Sequence, residues 1–206
     1  MVELAGEVAL YNYRKFNHIK PLMRSDGFSL VELMVVIAIV AIVASVATPS
    51  FRSAFERKHG SEMTQSIGSM LMEAQMHATK TARDTYVCPV DIDNVKDDYS
   101  DIDCLAVDEW KKGLMVWQDS DNNGSFSFEN DKIIKVSQSI DSDGLTVTFT
   151  KKGDATYPGY AANGLGVNNQ PVGDFLLCDD SGNYKAKIVA GIGQPYTIEE
   201  GVTCAP

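Results

Sequence analysis

A chain of 206 residues with 44% hydrophobic and 22% charged content carries a formal net charge of −10 at pH 7. Such acidity excludes a protein that gathers nucleic acid on a basic surface, because a phosphate backbone would be repelled. The length leaves room for one ordinary globular domain once any targeting or membrane segment is set aside.

The first 27 residues mix Tyr11, Tyr13 and Phe16 with Arg14, Lys15, Lys20 and Arg24 against Glu3, Glu7 and Asp26, without clear periodicity. A slight basic excess ahead of an apolar run predicts a cytoplasmic leader over residues 1–27. Either Met1 or Met23 is its start, the second leaving the short leader MRSDG. From Phe28 to Ala47 only Ser29, Glu32 and Ser45 are not apolar. As a helix that run is about 30 Å long, one bilayer core, so residues 28–53 are expected to form a transmembrane helix. Glu32 is the anomaly: a carboxylate at mid-membrane depth costs at least about 2.5–3.5 kcal/mol, so it requires a partner.

Gly27 and Phe28, followed by Glu32 and the apolar helix, resemble the type III signal of type IV pilins and pseudopilins. The resemblance implies that prepilin peptidase cuts after Gly27 and methylates the new amine of Phe28. The physics agrees, since a free carboxylate on one subunit would neutralise the Phe28 amine of its neighbour. Low dielectric makes an unpaired charge of either sign costly, so this pairing would set the stagger between subunits. The competing readings are an ordinary signal anchor with a stray Glu32 and a cleavable secretory signal. The second lacks a small-x-small site before Pro49.

Pro49 removes one helical hydrogen bond and predicts a kink where the helix leaves the bilayer; pilins carry a proline at the matching place. Over residues 54–82, Phe55, His59, Met63, Ile67, Met70, Leu71, Ala74 and Ala78 recur at steps of three and four. This predicts an amphipathic helix with one buried stripe. His59 and His77 lie about five turns apart, too far for one metal ion, and read as helix-surface residues. Residues 83–206 then change to strand-like runs, TYVCPV, LMVWQ, KIIKVSQSI, LTVTFT, DFLLC and YKAKIVAGI, separated by Gly, Asn and Asp clusters. They predict an exported antiparallel β domain covered on one face by the helix, an α+β fold. Tyr157 to Gln170, rich in Gly and Asn, is expected to be an exposed loop with a binding role.

Cys88, Cys104, Cys178 and Cys204 all lie beyond the apolar run, where an exported domain meets an oxidising compartment. Of the three connectivities the two local closures, Cys88 with Cys104 and Cys178 with Cys204, are preferred; a four-cysteine zinc site lacks any C-x-x-C pair. Asp119-Ser-Asp121-Asn-Asn123-Gly124-Ser125 matches the first seven places of an EF-hand-type calcium loop, which makes Asp119, Asp121, Asn123 and Ser125 candidate ligands. Place twelve is Asn130, flanked by Glu129 and Asp131, and Asn123-Gly124 between two strand-like runs also reads as a plain hairpin turn.

Gly113 to Trp117, the Asp-Asn-Gly turn and Asp131-Lys-Ile-Ile, together with FLLCDDSGNYKAKIVAGIG, resemble the GspH/FimT-like minor pilins. That resemblance implies a non-enzymatic minor pilin of a Gram-negative bacterium, placed near the pilus tip and active in assembly initiation, twitching and adhesion. Its implied partners are other minor and major pilins and prepilin peptidase. The alternatives are a type II secretion pseudopilin, a DNA-uptake pilin and a calcium-dependent adhesin. In DNA-binding members the loop after the strand matching Lys185 to Ile192 resembles glycine-arginine-x-arginine. Here it reads Gly193-Gln194-Pro195-Tyr196, without either arginine, so no nucleic-acid partner is expected. No nucleophile, base and orienting group fall together in the sequence, and the acids cluster in turn-like stretches.

Overall fold

The structure is a computed structural model that describes residues 28–204 apart from 141–143, 183, 192 and 194. The expected leader, with Gly27, and Gln194 lie outside the described residues. One helix, α1, runs Leu30–Thr81 and continues through position 49 without a break. The chain divides into two compact units between Val43 and Ala44.

In the first unit every large apolar side chain of the helix stands open to solvent, from 47% exposed at Val36 to 81% at the preceding Phe28. The second unit buries its share of α1. Met63, Ile67, Met70, Leu71, Ala74 and Ala78 form the expected stripe, each at most 1% exposed. Phe55 does not join them: it is 57% exposed, and among the described residues the first buried helical position is Gly60.

Among the described residues eight strands follow: β1 Thr85–Pro89, β2 Leu114–Gln118, β3 Lys132–Val136, β4 Leu145–Lys151, β5 Gly159–Tyr160, β6 Gly173–Asp179, β7 Lys185–Ala190 and β8 Thr197–Glu200. They form two antiparallel sheets, ordered β3-β2-β1-β5 and β4-β6-β7-β8. Strands β1 and β2 read as nearly unbroken apolar runs because both faces of their sheet are covered. One face joins the helix stripe in a core with Val87, Leu114 and Val116; the other holds Tyr86, Cys88, Met115 and Trp117 under the loops. Strand β6 instead alternates buried and half-buried residues, with Phe175 and Leu177 turned inward. Trp110 sits edge-on to Phe175 and Phe149, at 4.8 and 5.7 Å between centroids, and donates its indole N–H to the Val107 carbonyl.

The segment from Tyr157 to Gln170 departs from the exposed loop expected of it. Pro158, Gly159 and Tyr160 are buried, with β5 pairing to β1 and the Tyr160 hydroxyl donating to the Pro195 carbonyl. Burial pushes the Tyr160 phenol well above its ordinary range, so it stays a donor.

Candidate functional site

Three places carry the residues singled out from the sequence. The first is the helix start. Ser29 caps it, its Oγ accepting the Val31 N–H at 3.3 Å and its carbonyl accepting the Leu33 N–H at 3.1 Å. Glu32 lies exposed in the first turn, where the helix dipole favours an anion, and Ser29-x-x-Glu32 has capping-box spacing.

The second is the turn between β2 and β3. Asp119, 2% exposed, accepts the backbone N–H of Asn123 at 3.2 Å and of Gly124 at 2.8 Å, with Gly124 at a φ of +72° that suits glycine. Asp131 closes the turn from its far side, accepting the N–H groups of Ser120 at 2.9 Å and Ser127 at 2.8 Å. Ligand oxygens of Asp119, Asp121 and Asp131 all fall within 4.8 Å of one another. Of the four expected calcium ligands the structure thus gathers Asp119 and Asp121, and adds Asp131. Asn123 and Ser125 are tied to each other, the Ser125 N–H reaching Asn123 Oδ1 at 2.6 Å. These oxygens are the hard donors that calcium takes, yet each of the three carboxylates is already held by amides of the loop itself. Below the turn, Trp117 stacks on Tyr86 at 4.9 Å and meets the edge of Phe126 at 5.6 Å, so a rigid aromatic floor holds the loop. Burial, then the charges of Asp84 and Asp119, pushes the Tyr86 phenol up to about 12. Burial, then Asp119, likewise raises Asp84 above the usual carboxylate range.

The third is the pair of disulfides, Cys88–Cys104 and Cys178–Cys204. Both join cysteines to the nearer available partner, and with all four sulfurs oxidised no thiolate remains for zinc. One ties the 91–103 loop against β1; the other ties the chain end to β6, the inner strand beside β4 and β7.

A further set was missed in the sequence. Gly60 and Gly68 lie two turns apart on α1 and face the rings of Tyr184 and Tyr196, with Thr64 between them sharing a 2.5 Å hydrogen bond with the Tyr184 hydroxyl. The signal was present: small residues at every fourth position mark a face that another element approaches closely.

Two family profiles match the chain. The prokaryotic N-terminal methylation motif covers residues 22–48. The profile described as type II transport protein GspH covers residues 63–192, more than half of the sequence. The chain belongs to the GspH/FimT-like family. Among solved structures it is similar to the type IV minor pilin FimU of Pseudomonas aeruginosa strain PAO1 in two crystal forms. The P21 form shows 17% identity over 71% of this chain and 91% of that one, with a TM-score of 0.44. The P65 form shows 18% identity over 68% and 91%, with a TM-score of 0.45. No curated protein matches. GspH-family proteins are structural pilins, and the methylation motif marks a membrane-anchored precursor that prepilin peptidase processes for assembly with other pilins. Among the described residues no helix is long and apolar enough to cross a membrane.

Proposed function

We propose that this chain is a minor pilin of a type IV pilus, cut after Gly27, anchored in the inner membrane through residues 28–53 as a precursor, and then incorporated near the pilus tip. The observation that carries the reading is the bare helix of the first unit. Apart from Ser29 and Glu32, its side chains from Phe28 to Val43 are apolar and about half or more exposed along nearly their whole length, whereas Met63 to Ala78 bury their stripe within their own domain. A surface of that size needs lipid or other subunits.

In the filament Glu32 meets the Phe28 amine of a neighbouring subunit, its place in the first turn of the helix setting the carboxylate near where that amine arrives. The 83–206 domain docks on other pilins and serves pilus initiation, twitching and adhesion. A pseudopilin of type II secretion is the second reading, favoured by the family profile itself.

The test uses Glu32→Gln beside Glu32→Ala in the native host. Gln keeps the size of the side chain and removes its charge, so both variants should drop out of sheared pili about equally while accumulating as folded protein in the membrane. Incorporation of either variant at the normal level refutes the charge pairing. Loss of secretion with intact twitching in a deletion strain would select the pseudopilin.

A further inference from the structure

Asn123-Gly124-Ser125 is the one Asn-x-Ser/Thr triplet in the sequence. An asparagine two places before a hydroxyl residue is the acceptor pattern for glycan transfer to a side-chain amide, and it requires an exposed loop on an exported domain. The turn between β2 and β3 meets the structural half of that requirement, since Asp121 to Ser125 are exposed in unbroken succession. Its side chains are also arranged for the chemistry. The Ser125 N–H donates to Asn123 Oδ1 at 2.6 Å, which draws electron density out of the carboxamide and makes its N–H groups more acidic. Asn123 Nδ2 donates to Asp121 Oδ2 at 2.7 Å, so a carboxylate already sits on the proton that must leave.

We propose that Asn123 is a glycosylation site, modified by transfer from a lipid-pyrophosphate-linked oligosaccharide through an oligosaccharyl transferase of the envelope. Asn123 Nδ2 attacks the anomeric carbon of the first sugar, forming an N–C bond. The bond from that carbon to the pyrophosphate oxygen breaks, and the lipid pyrophosphate leaves with the electron pair. The amide proton passes to a carboxylate, for which Asp121 is placed. No oxidant or reductant enters.

The chain contains its own control. Asn163 is exposed in a second Asn-Gly turn with the same local geometry, its Oδ1 accepting the Leu165 N–H at 3.0 Å, but position 165 offers no hydroxyl. Asn163 remains unmodified under the same conditions.

The inference rests on export of the domain, which the proposed function supplies, so two experiments separate the two. In the first, the full chain is purified from the envelope of its native host and the Gly113–Lys132 peptide is weighed. Glycan mass on Asn123, lost in Ser125→Ala and retained in Ser125→Thr, supports the site. On a chain cut before Phe28, an unmodified peptide, a one-dalton gain from deamidation, or glycan elsewhere alone overturns it. In the second, the detergent-purified full chain is incubated with a bacterial oligosaccharyl transferase and a lipid-linked oligosaccharide, where export plays no part. Transfer should be confined to Asn123 and should fall at least tenfold in Asp121→Asn; equal transfer in that variant removes the carboxylate from the mechanism. Transfer here with a bare native peptide from a chain left uncut before Phe28 locates the failure in the pilin reading instead. Near-UV circular dichroism of each variant guards against loss of the fold.

Discussion

Gly60→Ala sets two known effects against each other at one atom. Alanine is favoured over glycine in a helix interior by about 0.8–1.0 kcal/mol, so an isolated helix would gain. In this structure the added Cβ falls against the Tyr184 ring, 2.5 Å from Cγ and 2.7 Å from Cε1, where carbon contacts ordinarily lie near ~3.5–4.0 Å. The ring must swing away, which breaks the hydrogen bond between Thr64 Oγ1 and the Tyr184 hydroxyl. Overpacking costs about 1–3 kcal/mol and the lost hydrogen bond about 0.5–1.5 kcal/mol. Packing wins, and the net destabilisation is roughly 1–3 kcal/mol. For a chain of this length that lowers Tm by roughly 3–10 °C. Melting of the full chain in detergent, followed by fluorescence of the buried Trp110 and Trp117, reads the shift. The decisive measurement is the same substitution in a Tyr184→Ala background. With the ring gone only the helical gain remains, and Gly60→Ala should now stabilise by about 1 kcal/mol. A rise in Tm in the unaltered chain, or the same sign in both backgrounds, refutes the close approach of helix and tyrosine.

Replacing either cysteine pair, Cys88 with Cys104 or Cys178 with Cys204, by alanine should cost about 3 kcal/mol in urea unfolding, and reducing agent should bring the parent chain down to meet the variants. Asp119→Ala leaves the amides of Asn123 and Gly124 without their acceptor and should cost about 2–4 kcal/mol, with Asp119→Asn milder because it keeps one oxygen. Asp84 has a raised pKa in the fold, so what it contributes to stability is present below the ordinary carboxylate pKa and is lost as pH rises through the folded value. Asp84→Asn should therefore raise Tm at pH 7, with the gain vanishing below about pH 4; a constant gain at all pH values would rule out the charge as its origin.

Much of the architecture was legible in the residues. The runs at 85–90, 114–118 and 145–150 each became a strand because β-branched and aromatic residues there sit between Gly and Asp breaks. The helix stripe from Met63 to Ala78 was visible as a period of 3.6. Phe55 belonged to the same period yet lies exposed, because periodicity reports which side of a helix is apolar and not where along it the partner begins. Strand β5 is two residues long and is held by its pairing to β1, while β8 reads Thr-Ile-Glu-Glu without alternation. Neither has a local signal, since both form only when a distant strand offers its edge. The division into two sheets was hidden for the same reason: it rests on β4 pairing with β6 across the whole Tyr157 to Gln170 segment. At the turn, the Asp-x-Asp spacing announced converging acids, but Asp131 joined them through tertiary closure of the hairpin.

The two tyrosines over Gly60 and Gly68 also bear on how load passes through the subunit. A pull along the helix axis would have to drag the rings along the face that Gly60, Thr64 and Gly68 share, and Thr64, the next position on that face, carries a side chain where the glycines left hollows. Slippage is therefore blocked by shape, like a key in its wards, and a tug on one end is delivered to the sheets without relying on the strength of any individual bond.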